Sequence, residues 1–276
     1  MCWYPIQLNE RVTKEGVIIP PSLVPCGKCL ECLQKKRADW SFRLQYELKK
    51  ATSATFLTLT YNDENIKQKN GFKTLHKKDL QNYFKRVRHE TPKIKYYAVG
   101  EYGSKYGRPH YHAIVFNSDN DTLRDKWSIN GETIGRVSTD SVTPASIHYV
   151  TGYVIGKYGN IDKYGMPVLT EEDKLKEKPF AIMSKGLGVD YVEKAAKYHI
   201  ENKTFTAKHE GHKFYLSRYL KMKIFINEEE RRLQITEEEK QRIIEKLKSK
   251  STREVFNSRA YLRELNKHSQ NKKKFK

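Results

Sequence analysis

The chain has 276 residues, 37% of them hydrophobic, a mean hydropathy of −0.81, and a formal net charge of +20 from 53 Lys and Arg against 33 Asp and Glu. No run approaches the roughly 18 apolar residues of a membrane helix, and the start, MCWYPIQLNERV, lacks a basic-then-apolar leader, so the sequence reads as cytoplasmic rather than membrane-spanning or secreted. The positive excess points to a polyanionic partner, nucleic acid first, and 18 Tyr and 11 Phe supply stacking surfaces for single strands.

In chain order, the first feature is four cysteines: Cys2, then Cys26, Cys29 and Cys32 in PCGKCLEC. In a reducing compartment such a cluster reads as a metal site rather than a disulfide set. Four thiolates suffice for a structural tetrahedral zinc if Cys2 folds back across residues 3–25. The C-x2-C-x2-C spacing also occurs around iron–sulfur clusters, and a metal-free cluster is the third reading. LQKKRADWSFRLQYELKK, residues 33–50, sets Trp40, Leu44 and Leu48 at i, i+4 and i+8, which predicts an amphipathic helix with a basic face. TFLTLTYND alternates Phe56, Thr58 and Thr60 against Leu57, Leu59 and Tyr61, which predicts a strand over 55–61. Leu80, Tyr83, Phe84 and Val87 predict a helix over 77–89, stopped by Thr91-Pro92. IKYYAVG predicts a strand over 94–100.

GRPHYHAIVF, residues 107–116, opens with two histidines one residue apart. By itself His-x-His is commonly a pair of ordinary surface or core residues. Here the run alternates and is rich in β-branched and aromatic residues, so it predicts a strand over 110–116 with His110 and His112 on one face. An imidazole pair needs a third ligand, usually a carboxylate, to hold a catalytic divalent ion with open positions. Glu101, in AVGEYGSKYG, is the nearest candidate, brought beside His110 by a tight hairpin through Gly103 and Gly107.

Beyond Phe116 the chain reads as loops and short strands to about residue 142, with Trp127 and 133–137 as the ordered parts. HYVTGYVIGK predicts a helix over 148–157, with Tyr149, Tyr153 and Lys157 at i, i+4 and i+8 along one face. Periodicity alone makes this stripe core, since Val150, Val154 and Ile155 are apolar and Gly152 and Gly156 weaken a helix. Beside a metal site it acquires a second meaning. A phenol has a pKa of about 10 and is a poor nucleophile. Against a phosphodiester it needs a cation on the phosphate oxygens and a positive group for the developing charge, which Lys157 can supply. A polar, Gly- and Pro-punctuated excursion follows, then a helix over roughly 189–200, a basic aromatic stretch, a highly charged helix from Asn227 whose faces read as solvated, and a basic tail suited to phosphate contact.

The order TFLTLTYND, GEYGSKYGRPHYHAIVF, YVTGYVIGK resembles the HUH endonuclease superfamily, and in detail the replication initiation proteins of microvirus-type, gokushovirus-like single-stranded DNA bacteriophages. MCWYP, VPCGKCLEC and FAIMSKGLG resemble the same family, so the likeness spans most of residues 1–225. It implies rolling-circle replication: an origin nick in single-stranded DNA, a 5′-phosphotyrosine link, a 3′-hydroxyl primer, and rejoining of the displaced strand by alternating tyrosines, Tyr149 and Tyr153. It implies His110, His112 and Glu101 as ligands of Mg2+ or Mn2+, and Lys157 at the phosphate. Gly156 departs from the family, which often has a basic or polar residue there. Tyr111 is bulkier than the usual residue between the histidines.

The implied fold is an antiparallel β-sheet with helices packed mainly on one face, of ferredoxin-like type, and the mixed, non-repeating order of elements independently suggests α+β. The expected division is 1–50 for the Cys cluster and basic helix, 51–225 for the HUH endonuclease domain, and 226–276 for the charged helix and tail. No Gly-rich phosphate loop is present, so unwinding falls to a host helicase and extension to a host polymerase, in the cytoplasm of a bacterial host. The competing readings are a non-catalytic, zinc-stabilised nucleic-acid-binding protein, and a relaxase or single-strand transposase of the same superfamily. Typical relaxases carry the tyrosine upstream of the histidines, whereas here the pair lies downstream. A zinc hydrolase is a weaker rival, since its water-activating carboxylate is not apparent.

Overall fold

The computed structural model describes residues 2, 6–12, 16, 18–19, 22–103, 106–153, 160–161, 167–168, 170–209 and 211–248. The chain forms two compact units, Met1–Glu193 and Lys194–Lys276.

The first unit opens with β1 (Ile6–Leu8), β2 (Arg11–Val12), β3 (Ile18–Ile19) and β4 (Ser22–Val24), nested as β1 with β4 and β2 with β3. Helix α1 (Leu30–Leu48) follows, then β5 (Ala54–Thr60), the small hairpin β6 (Gln68–Lys69) and β7 (Phe72–Lys73), and α2 (Lys77–Glu90). Next come β8 (Lys95–Tyr102), β9 (Pro109–Phe116), α3 (Asn120–Asp125), the hairpin β10 (Ser128–Ile129) and β11 (Glu132–Thr133), β12 (Val137–Ser141) and α4 (Pro144–Gly152). The unit continues through β13 (Asn160–Ile161), β14 (Pro167–Val168), α5 (Glu171–Leu175), β15 (Phe180–Met183) and the start of α6 (Asp190–Glu201).

Its centre is a five-stranded sheet in the order β12-β5-β9-β8-β15, antiparallel throughout. Strand β9 is the middle strand because both of its sides are apolar over Ala113–Phe116. On one side Tyr111, Ala113 and Val115 join Leu57, Leu59 and Ala98, covered by Leu80, Tyr83, Phe84 and Val87 of α2 and Leu123 of α3. On the other, Ile114 and Phe116 join Tyr97 and Val99, covered by Trp40 and Leu44 of α1 and Ile147 and Val150 of α4. The expected α+β class and antiparallel sheet are present. The placement of helices mainly on one face is corrected: helices cover both, because a strand that is apolar on both sides must be buried on both.

The expected helices and strands of this unit stand within a few residues of their boundaries. The helix expected over 148–157 begins earlier, at Pro144, because Thr143 caps it. The Thr143 side chain accepts from the Ser146 N–H, the Ser146 hydroxyl accepts from the Thr143 N–H, and Pro144 takes the first helical position. Tyr153 is its C-cap, and residues 154–157 lie outside the described residues.

The second unit holds the rest of α6, the hairpin β16 (Thr206–His209) and β17 (His212–Tyr215), and α7 (Arg218–Ile224) and α8 (Glu229–Lys248). Phe205, Leu216, Leu220, Ile224 and Phe225 are buried within it. The helix expected from Asn227 is α8; the basic tail, residues 249–276, lies outside the described residues.

Candidate active site

The hairpin β8–β9 sets the site. Its register puts Glu101 directly opposite His110 and Val99 opposite His112. The turn closes with the Gly103 N–H donating to the Arg108 carbonyl at 2.9 Å, and Gly107 at φ +59°, a left-handed conformation that glycine adopts without a Cβ clash. Pairing on the other side of β9 sets Thr58 of β5 opposite His112 and Thr60 opposite His110. Since directly opposite residues share a face, Glu101, His110, His112 and Thr58 all project toward the side covered by α1 and α4.

The two imidazoles converge on one carboxylate oxygen. His110 Nε2 lies 2.8 Å and His112 Nε2 3.2 Å from Glu101 Oε1. Glu101 and His112 are only 3% and 7% exposed. On the far side of each ring, His110 Nδ1 donates to the Arg108 carbonyl at 3.0 Å, and His112 Nδ1 pairs with the Thr58 hydroxyl at 3.0 Å. Such outer partners fix ring orientation and aim Nε2 at the centre.

These residues fit a divalent cation. A neutral imidazole has one N–H, yet His110 faces an acceptor on each nitrogen, so one of its contacts requires either a second ring proton or a metal ion at Nε2. Ligand atoms at right angles on an octahedral ion, each about 2.1 Å from it, lie about 3.0 Å apart, and the two observed separations bracket that spacing. All three ligand atoms lie within 4.8 Å of one another. The set of two histidines and one carboxylate matches the facial arrangement that leaves coordination positions open.

Helix α4 brings both tyrosines to this centre. The Tyr149 ring meets His112 edge-on at 5.2 Å, the Tyr153 ring stacks on His112 at 5.7 Å and 10°, and the two phenols are 5.0 Å apart at 89°. Tyr149 is 38% exposed, while Tyr153 is half-buried. Burial first, and then the nearness of Glu101 and Tyr149, pushes the Tyr153 phenol well above its usual range. A cation on Glu101 would offset the carboxylate's share. Lys157, expected one turn on, lies outside the described residues.

Tyr111 points to the opposite face, where its hydroxyl meets that of Tyr61 at 2.9 Å and donates to the His76 carbonyl, so its bulk does not enter the site. Three contributors were not singled out from the sequence. Thr58 anchors His112, Phe56 stacks on His112 at 5.6 Å and 11°, and Arg37 of α1 donates to the His148 carbonyl of α4 at 3.1 Å. Phe56 and Thr58 were legible as strand residues, but their role depends on cross-strand register. Nothing in the sequence links Arg37 to a helix more than 100 residues away.

The four cysteines also meet: Cys2, Cys26, Cys29 and Cys32 offer sulfurs within 4.8 Å of one another, and all four are free thiols. No described helix is long and apolar enough to cross a membrane.

Comparison with known proteins follows the same lines. Residues 54–158 match a family model of phage-type replication-associated proteins, that of the replication-associated protein ORF2. The chain is 32% identical over 204 residues to the replication-associated protein ORF2 of Spiroplasma virus 4, covering 65% of this chain and 58% of that protein. It is 30% identical over 198 residues to the replication-associated protein ORF4 of Chlamydia phage 1, covering 61% and 45% respectively. It is 29% identical over 180 residues to the replication-associated protein VP4 of Bdellovibrio phage phiMH2K, covering 55% and 54%. The chain thus spans about half the length of the curated relatives it matches. No solved structure matches it. The family resemblance read from the motifs is borne out: the chain is similar to phage replication-associated proteins, and the matched segment holds Glu101, both histidines and both tyrosines.

Proposed function

We propose that the protein is a rolling-circle replication initiator, a metal-dependent endonuclease that nicks single-stranded DNA at a phage origin. The observation that supports this best is the convergence of His110 and His112 on Glu101 with both α4 phenols beside His112. Glu101, His110 and His112 would hold the ion, Mg2+ or Mn2+, and Thr58 and the Arg108 carbonyl would orient the two rings. The ion, when bound, polarises the scissile phosphate and neutralises charge as phosphorus becomes five-coordinate.

A tyrosine oxygen of Tyr149 or Tyr153 attacks phosphorus and loses its proton. The P–O3′ bond breaks, the 3′ oxygen takes a proton, and the 5′ phosphate stays on the tyrosine. The 3′ hydroxyl then primes a host polymerase, with a host helicase opening the duplex. The second tyrosine cuts the regenerated origin, and the freed 3′ hydroxyl attacks the first phosphotyrosine to close the displaced circle. Two nucleophiles 5.0 Å apart beside one ligand suit such an exchange. Lys157 is proposed to contact the phosphate.

The test incubates single-stranded origin DNA with protein and Mn2+ and looks for a covalent adduct on a denaturing gel. A metal-dependent adduct that disappears when Tyr149 and Tyr153 are both Phe supports the proposal. DNA that is bound but never cut under any divalent ion removes it, and leaves a non-catalytic nucleic-acid-binding protein.

A further inference from the structure

We infer that the Cys2, Cys26, Cys29 and Cys32 quartet is a structural zinc site, and that its ion fixes the start of α1, the helix on which α4 is packed. The metal assignment is independent of the nicking reaction, and the second half concerns the structural support of the site proposed for it.

The nested hairpins explain how residues 24 positions apart meet. Pairing of Ile6 with Val24 returns the chain to its own beginning, and Cys2 and Cys26 flank that paired base. The Cys26 N–H then donates to Cys2 Sγ at 3.2 Å. Gly27, at φ +73°, turns the chain so that the N–H groups of Lys28 and Cys29 donate to Cys26 Sγ at 3.4 and 3.3 Å. Two amides on one sulfur favour a thiolate, the form that binds metal. Cys29 is the N-cap of α1, and Cys32 lies in its first turn.

Spacing distinguishes zinc from the alternatives. A disulfide needs sulfurs about 2.05 Å apart. Tetrahedral thiolates about 2.3 Å from a zinc ion lie about 3.8 Å from one another. The Cys2 and Cys29 sulfurs are 3.9 Å apart, and all four lie within 4.8 Å. One ion is therefore spanned by the quartet as it stands. Binding is balanced by release of the thiol protons: four thiols and Zn2+ give a tetrathiolate of charge −2 and four protons to buffer.

Helix α1 carries the effect to α4. Beyond the cysteines, Arg37 donates to the His148 carbonyl, the Ser41 and Thr151 hydroxyls meet at 2.8 Å in a buried contact, and Trp40 and Leu44 pack with Ile147 and Val150. Tyr149 lies within this packed segment and Tyr153 caps it. An anchored first turn of α1 thus limits the motion of the helix that presents both phenols.

The experiment measures metal in the full-length protein purified from zinc-containing medium, then follows amide hydrogen exchange. The expected result is one zinc per chain, retained through a mild chelator wash, and an intense thiolate-to-cobalt absorption when Co2+ replaces it. Cys32→Ser loses both signals. Iron with acid-labile sulfide, or four freely titratable thiols in folded protein without zinc, overturns the assignment. Stripping zinc should raise exchange across residues 144–153 at least several-fold, reversed by adding zinc back. Unchanged exchange there overturns the anchoring role. A failure of the nicking reaction alters neither readout, so the two ideas fail separately.

Discussion

Tyr153 lies flat on His112, ring centroids 5.7 Å apart and planes within 10° of parallel, so that helix α4 and strand β9 meet at the one point where an imidazole nitrogen also faces Glu101. The two tyrosines differ in setting. Tyr149 is 38% exposed, and Tyr153 is half-buried with its phenol pushed above the usual range.

That difference predicts an order of use. Tyr149→Phe should reduce initial cleavage of origin DNA about 100-fold or more, since the accessible nucleophile is removed. Tyr153→Phe should leave the first cut and block strand transfer to a second site. Adduct yield on one-site and two-site substrates reads both, and a first cut that survives Tyr149→Phe but not Tyr153→Phe reverses the assignment.

The ligand set predicts graded metal defects. His110→Ala, His112→Ala and Glu101→Gln should each abolish Mn2+-dependent cleavage while leaving DNA binding in place. Thr58→Val removes only the partner of His112 Nδ1, and should weaken Mn2+ affinity about 10- to 100-fold with cleavage restored at high Mn2+. Titration of cleavage against Mn2+ separates the two classes. Equal loss for Thr58→Val at every concentration would rule out a purely orienting role.

Gly188 tests the packing behind α1. At φ +68°, a Cβ there would stand 2.7 Å from the Arg43 Cα and carbonyl oxygen, both backbone atoms that cannot yield cheaply. Gly188→Ala should destabilise the first unit by about 2 kcal/mol or more, combining the left-handed backbone with the clash. A denaturant midpoint equal to that of the parent chain contradicts this account.

In the second unit, His199 is fully buried and its Nδ1 donates to the Thr204 carbonyl at 2.8 Å. Burial holds its pKa below the ordinary 6.5, so the unfolded chain binds more protons between the lowered value and 6.5. Stability therefore rises with pH through that window and is lost as pH falls below about 6.5. His199→Gln should flatten the slope of thermal midpoint against pH between about 5 and 7. An unchanged slope would show that another group carries the acid sensitivity.

Much of this was legible beforehand because local pattern and local chemistry coincide. Alternation in HYHAIVF forces His110 and His112 to one face whatever the rest of the chain does. Two glycines at the turn make Glu101 a near neighbour, and i, i+4 spacing keeps Tyr149 and Tyr153 together. The start of α4 was legible too, in Thr143-Pro144 with Ser146, but the apolar stripe drew the expected boundary four residues late.

The sequence alone therefore determined the types of residue available for metal and phosphate chemistry, the strand and helix that carry them, and a resemblance to phage replication proteins. Those follow from spacing within a few residues, where backbone geometry admits few arrangements. Only the tertiary structure decided that β9 is central with helices on both faces, that Thr58 orients His112, and that α1 joins the cysteine quartet to α4. Each of these joins residues from about 24 to over 100 positions apart. Strand order and helix docking are set by how the whole apolar surface is buried at once, which no local window contains.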